Sequence, residues 1–132
     1  MVYVFEDIDY DGDSDLPVDL YVSGSHNTGN VSITGIPQNS YYLAGNPYTK
    51  TIDWDDITKT NLSSTVSIWD DATSDWKTYN GSSGDLTGGL IPAFQGFWVQ
   101  AIGGTGSFTI QAADIATSSG TFLGRISNEE YQ

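Results

Sequence analysis

Phe97-Trp98-Val99-Gln100-Ala101, the tetrapeptide Gly103-Gly104-Thr105-Gly106, and then Ser107-Phe108-Thr109-Ile110-Gln111 are the stretch on which the fold turns. Each flank alternates with a period of two. Phe97, Val99 and Ala101 fall on one face, Trp98 and Gln100 on the other, and this is the spacing of a half-buried strand. The Gly-rich link between them predicts a β-hairpin. A second hairpin is expected upstream, with Val66-Ser67-Ile68-Trp69 and Trp76-Lys77-Thr78-Tyr79 flanking an Asp-rich turn at 70–75.

The same alternation recurs along the chain in short runs separated by breakers. Val2 to Phe5, Val18 to Val22, the Val31/Ile33 pair and Tyr41 to Ala44 read as strands. Gly24 to Gly29, Gly35-Ile36-Pro37 and Gly45-Asn46-Pro47 read as turns. Gly81 to Gly89 reads as a polar loop and Gly120 to Arg125 as a weaker last strand. The one competing helix is Ile52 to Lys59, where Asp53 would cap a single turn. About eight short strands with little or no helix predict an all-β, antiparallel β-sandwich or jelly roll. At 132 residues the chain fits one module, and the absence of Cys excludes disulfides and thiolate metal sites.

Composition narrows the partners. Seventeen Asp and Glu against four Lys and Arg give a net charge of −13. Such a field repels nucleic-acid phosphates and anionic membrane surfaces, so neither is an expected partner. No apolar run in the sequence is long enough for a membrane-spanning helix.

Asp7-Ile8-Asp9-Tyr10-Asp11-Gly12-Asp13-Ser14-Asp15 is the sharpest chemical motif. Five carboxylates at alternate positions repel one another unless a cation lies among them, and the Gly falls where a calcium loop makes its sharp turn. The later ligand position of an EF-hand is Val18 here, with Asp19 one step beyond, and flanking helices are missing. The expectation is a structural calcium loop between β elements, with Asp7, Asp9, Asp11, Asp13 and Asp15 as ligands.

Catalytic constellations are weak. Asp53, Asp55 and Asp56 flank Trp54, and Asp70 and Asp71 follow Trp69, which would supply the carboxyl pair of a glycoside hydrolase. Asp-rich surface turns are nevertheless ordinary in acidic proteins. His26, the only His, sits in a turn, no nucleophile-elbow motif occurs, and Gly103 to Gly106 lacks the Lys of a phosphate loop. The expectation is a non-enzyme, with hydrolysis the least favoured reading.

The aromatic pool of Tyr41, Tyr42, Tyr48, Trp54, Trp69, Trp76, Tyr79 and Trp98 is the other functional resource. Sugars present flat C–H faces that stack on such rings, although most rings in a sandwich are core. Trp54 and Trp76, in Asp-rich surroundings, are the leading expected ligand platforms, with Tyr79 and Trp69 beside them.

An ordered set of motifs supports the same reading. Tyr42-Leu43-Ala44-Gly45-Asn46-Pro47-Tyr48, Ile52-Asp53-Trp54, Ser67-Ile68-Trp69-Asp70 and Ile91-Pro92-Ala93-Phe94-Gln95-Gly96-Phe97-Trp98-Val99-Gln100-Ala101 resemble a β-sandwich module of large secreted proteins of Bacteroidetes. The likeness spans about residues 18–125, with Thr49 where the family often has Pro. It implies an accessory or adhesive module of a type IX-secreted surface protein, extracellular and without catalytic residues to carry over. Its partners would be a polysaccharide or neighbouring domains or subunits. A structural spacer or self-assembling unit is the alternative, and the chain reads as a piece cut from a longer protein.

Overall fold

The computed structural model describes residues 23–124, and among them there are nine strands, two single 3₁₀ turns and no α-helix. The strands are β1 Val31–Ile36, β2 Tyr41–Gly45, β3 Ile52–Asp53, β4 Thr58–Thr60, β5 Leu62–Asp70, β6 Asp75–Tyr79, β7 Leu90–Ile91, β8 Gly96–Ala101 and β9 Gly106–Ile110. All pairing is antiparallel. Three strands form one sheet in the order β1-β9-β4, four form a second in the order β2-β8-β5-β6, and β3 pairs with β7. The all-β expectation holds. The expected strands at Val2–Phe5 and Val18–Val22, and the Asp7–Asp15 loop, lie outside the described residues.

The upstream hairpin forms as read: Val66 faces Tyr79, Trp69 faces Trp76 and Asp70 faces Asp75. Asp70 closes the turn, with Oδ1 accepting the Ala72 N–H and Oδ2 the Thr73 hydroxyl. The downstream pair is different and corrects the reading. β8 and β9 do not pair with each other; β8 lies between β2 and β5, and β9 between β1 and β4. The chain at 102–105 therefore crosses from one sheet to the other.

A second crossing, between β4 and β5, runs beside it and locks the geometry. Asn61 takes a left-handed φ of 52° at that corner; its carbonyl accepts the Ile102 N–H and its side chain donates to Thr105 O. Gly106 must lack a side chain, because a Cβ would lie 2.7 Å from Leu62 Cδ2 and 2.9 Å from Ala101 Cβ. Both crossings thus stack edge to edge, and the apolar faces of β8 and β9 meet across the sandwich.

Where they meet is the core. Phe97 contacts Trp54 edge-on at 6.1 Å and Phe108 at 6.3 Å between ring centroids. Ile52, Val66, Ile68, Ile91, Val99 and Ile110 close around them, all buried. The polar parts of this interior are satisfied. Asn46 is buried, its Oδ1 accepts the Tyr48 N–H, and its Nδ2 donates towards the Lys50, Ile91 and Pro92 carbonyls. Tyr48 follows it inward and donates its hydroxyl to Gly29 O at 2.9 Å.

Two further expectations are corrected. Ile52 to Lys59 is not a helix: Asp53 Oδ1 accepts the Asp55 N–H, and this local turn joins β3 to β4 instead of capping a helix. Gly120 to Gly124 carries no strand; Leu123 is tied to the core by its N–H donating to Gln95 Oε1, and Arg125 lies outside the described residues. Among the described residues no helix is long and apolar enough to cross a membrane.

Truncating the central ring should be costly. Trp54→Ala is expected to lower unfolding free energy by about 3–5 kcal/mol, whereas Trp76→Ala, whose ring is exposed, should cost about 1 kcal/mol. Urea melts of the two variants against the parent chain check this; equal losses would contradict the assigned burial.

Candidate functional site

The outer face of the four-stranded sheet is where exposed aromatics gather. Because Val66, Ile68, Phe97 and Val99 point into the core, Ser67, Trp69 and Trp98 must point out. Pairing then assembles rows across the sheet. Leu43 faces Trp98, Trp98 faces Ser67, and Ser67 faces Thr78. In the next row Gly45 faces Gly96 while Trp69 faces Trp76.

Trp69 and Trp76 are 42 % and 44 % exposed and meet edge to face, with 5.3 Å between centroids and planes 72° apart. This arrangement suits the ring quadrupoles and leaves an indole face open to solvent. Beside the pair, Tyr41, Ser67, Trp76 and Trp98 line a depression of ≈ 470 Å³. That size falls within the range of about 300–1,000 Å³ typical of small-ligand sites. The two glycines extend the floor: a Cβ on Gly45 would meet nothing within 4 Å, and one on Gly96 would meet only Leu43 Cδ1 at 3.7 Å and the Ala44 carbonyl at 3.8 Å. Ser67 and Tyr41 bring hydroxyls to this largely aromatic lining.

Two of the four aromatic residues named from sequence are elsewhere. Trp54 is 0 % exposed. Its indole N–H donates to Ser64 O at 2.6 Å, and Lys59 Nζ sits 4.5 Å from its ring centroid while also donating to the Trp54 carbonyl. Its Asp neighbours face outward at the turn while the indole faces in, so polar neighbours were a misleading guide. Tyr79 lies three residues beyond Trp76 and therefore on the opposite, inner face. Its ring is buried against Gly89, where a Cβ would come within 2.8 Å of it and where φ is +66°. Tyr41 and Trp98 belong to the outer face; alternation already separated Trp98 from the Phe97 side, but only pairing puts Tyr41 beside it.

Three of the five carboxylates that could serve a hydrolase, Asp53, Asp55 and Asp70, are held by hydrogen bonds, while Asp56 and Asp71 are exposed. Asp70 is buried and accepts from Ala72 and Thr73, and Asp53 accepts the Asp55 N–H. Asp55 Oδ2 accepts the Tyr79 hydroxyl at 2.6 Å. Asp114, the buried last residue of the second 3₁₀ turn, accepts the Gln111 N–H at 2.7 Å. Burial raises its pKa above 3.8. Lys59 lies among Asp53, Asp55, Asp56 and Asp114, yet desolvation outweighs their attraction and lowers its pKa from 10.5. Among the described residues no group of three or more His, Cys, Asp or Glu is arranged to hold a metal ion. Another depression, ≈ 500 Å³ between Thr49–Thr51 and Ala116–Gly120, is lined mainly by small residues and hydroxyls and contains no Trp.

Compared with known proteins, the chain matches no family model, no curated protein and no solved structure.

The buried phenols set an alkaline limit on stability. The hydrogen bond to Asp55 raises the Tyr79 pKa above 10.0, and burial raises that of Tyr48. Both groups bind protons more tightly folded than unfolded, so their contribution is complete below pH 10.0 and is lost as pH climbs through the raised values. Tyr79→Phe should therefore flatten the fall of melting temperature above pH 10.0. Melts from about pH 8 to pH 12 check it, and an alkaline limb unchanged in the variant would contradict the assignment.

Proposed function

We propose that this chain is a non-catalytic accessory module of a secreted or cell-surface protein, and that it binds polysaccharide on the outer face of its four-stranded sheet. The observation that carries the reading is the exposed Trp69–Trp76 pair on one sheet face with exposed Tyr41 and half-buried Trp98, around Ser67. Monomeric soluble proteins seldom leave contiguous apolar patches exposed without an interaction to serve. Indole and phenol rings offer flat faces for the C–H side of a pyranose, while Ser67 and Gln100 supply hydrogen bonds to its hydroxyls. A net charge of −13 favours a neutral or cationic glycan over a sulfated one. The engaged state of Asp53, Asp55 and Asp70 supports binding without hydrolysis. Secretion rests on the motif resemblance together with the acidic composition.

Affinity electrophoresis against a panel of neutral polysaccharides tests the proposal. At least one should retard the protein, and Trp69→Ala, Trp76→Ala or Trp98→Ala should each weaken binding by about tenfold, equivalent to about 1.4 kcal/mol. The alternative, a spacer or assembly unit without a small ligand, predicts no retardation by any glycan.

The reading includes a structural calcium ion at Asp7, Asp9, Asp11, Asp13 and Asp15, supported by their spacing and by the mutual repulsion of five carboxylates. Removing calcium with a chelator is then expected to lower the melting temperature by about 5 °C or more, with recovery on calcium addition. An unchanged melt excludes a structural ion.

A further inference from the structure

The edges of the two larger sheets are not alike. β1 is broken by a bulge between Ile33 and Ile36, with Gly35 at a φ of 79°. β4 is three residues long and carries Lys59. β6 carries Asp75 and Lys77, and its outer side is partly closed by the Tyr79–Gly84 bridge and by Leu86 N–H donating to Thr78 O. These are the ordinary protections of a sheet edge. β2, Tyr41-Tyr42-Leu43-Ala44-Gly45, has none of them: no charge, no Pro, and an unbroken register with β8 over all five residues.

The hydrogen-bonding phase of β2 shows which groups are left over. Ser40 O accepts the Ala101 N–H and Asn46 N–H donates to Gln95 O, so the even-numbered residues face β8. Alternation turns the backbone N–H and C=O of Tyr41, Leu43 and Gly45 to the other side, where no described residue bonds them. Tyr41 is 66 % exposed and Leu43 55 %.

We propose that β2 is a self-association edge, and that two copies of the chain join through antiparallel β2–β2 pairing about a two-fold axis at Leu43. The side chains fit that register. Leu43 meets Leu43 of the partner subunit, and Tyr41 lies opposite Gly45 of the partner subunit, over the position where a Cβ would meet nothing. Tyr42 lies opposite Ala44 of the partner subunit. Each tyrosine faces a small residue, as a glycine on a sheet edge favours, and Leu43 meets its own copy on the two-fold axis, as an isologous contact requires. The outward groups of Tyr41, Leu43 and Gly45 then pair with the same groups of the second copy. A charged peptide finds no complementary charge on this edge, whereas the strand's own uncharged copy desolvates nothing ionic. The dimer is one continuous eight-stranded sheet with both aromatic faces on the same side, and it stands whether or not that face binds a glycan.

Sedimentation of the whole chain from about 1 µM to about 1 mM should show a monomer–dimer equilibrium that tightens with salt, since two anionic copies repel. Amide exchange at Tyr41, Leu43 and Gly45 should slow with concentration, while Tyr42 and Ala44 stay unchanged. Leu43→Pro removes an N–H that β8 does not use and should weaken association at least about tenfold. Trp69→Ala should dimerise like the parent chain, which separates this result from the glycan test. A monomer at every concentration, or association indifferent to Leu43→Pro, overturns the proposal. So does concentration-independent protection of the odd-numbered amides, which would mean that the chain covers its own edge. If Leu43→Pro does not fold, the alternating exchange pattern of the parent chain decides alone.

Discussion

Phe97 sits at the junction of the two sheets, touching Trp54 on one side and Phe108 on the other, and its burial sets the orientation of nearly everything around it. A strand has only two faces. Once Phe97 and Val99 are committed to the interior, Trp98 and Gln100 must leave it, and a slip of one residue would reverse every assignment on β8. β8 is central in its sheet, so its phase passes to β2 on one side and to β5 and β6 on the other. The exposed aromatic face is thus a consequence of how the core is filled.

The interior polar groups keep this arrangement unique. Asn46 ties the end of β2 to the Lys50, Ile91 and Pro92 carbonyls, and Gln95 ties the start of β8 to Leu123. A buried amide without such partners would be destabilising by about 1–3 kcal/mol, so each of these bonds disfavours alternative registers as well as stabilising the observed one. Asn61 and Gly106 serve the same end at the sheet crossing: one takes a left-handed corner, and the other leaves room where two chains pass.

The outer face and the β2 edge share a physical origin. Trp54, Phe97 and Phe108 fill the interior, while Trp69, Trp76 and Trp98 lie on the other side of the same strands or beyond the hairpin turn. Exposed apolar area on a chain this acidic is kept soluble by the surrounding charge, and the β2 segment is a stretch from which charge is missing. The face presents rings, and the edge presents backbone groups of Tyr41, Leu43 and Gly45 that no described residue bonds.

Period-two alternation by itself determined the strands β1, β2, β5, β6, β8 and β9, the inward set Val66, Ile68, Phe97 and Val99, and the separation of Trp98 from Phe97. These are local properties, written in the order of apolar and polar residues. Tertiary structure decided the rest. A four-residue Gly-rich link serves a hairpin and a sheet crossing equally well, and only the β4–β5 crossing at Asn61, together with the pairing of β8 to β2 and β5, selects the second. Trp54 looked exposed because its neighbours are Asp, yet a turn can direct adjacent side chains to opposite sides. Tyr79 could have been separated from Trp76 by parity alone. Bringing Tyr41 to Trp98 across more than fifty residues, and leaving β2 at an edge, depended on which strands paired, which no local pattern encodes.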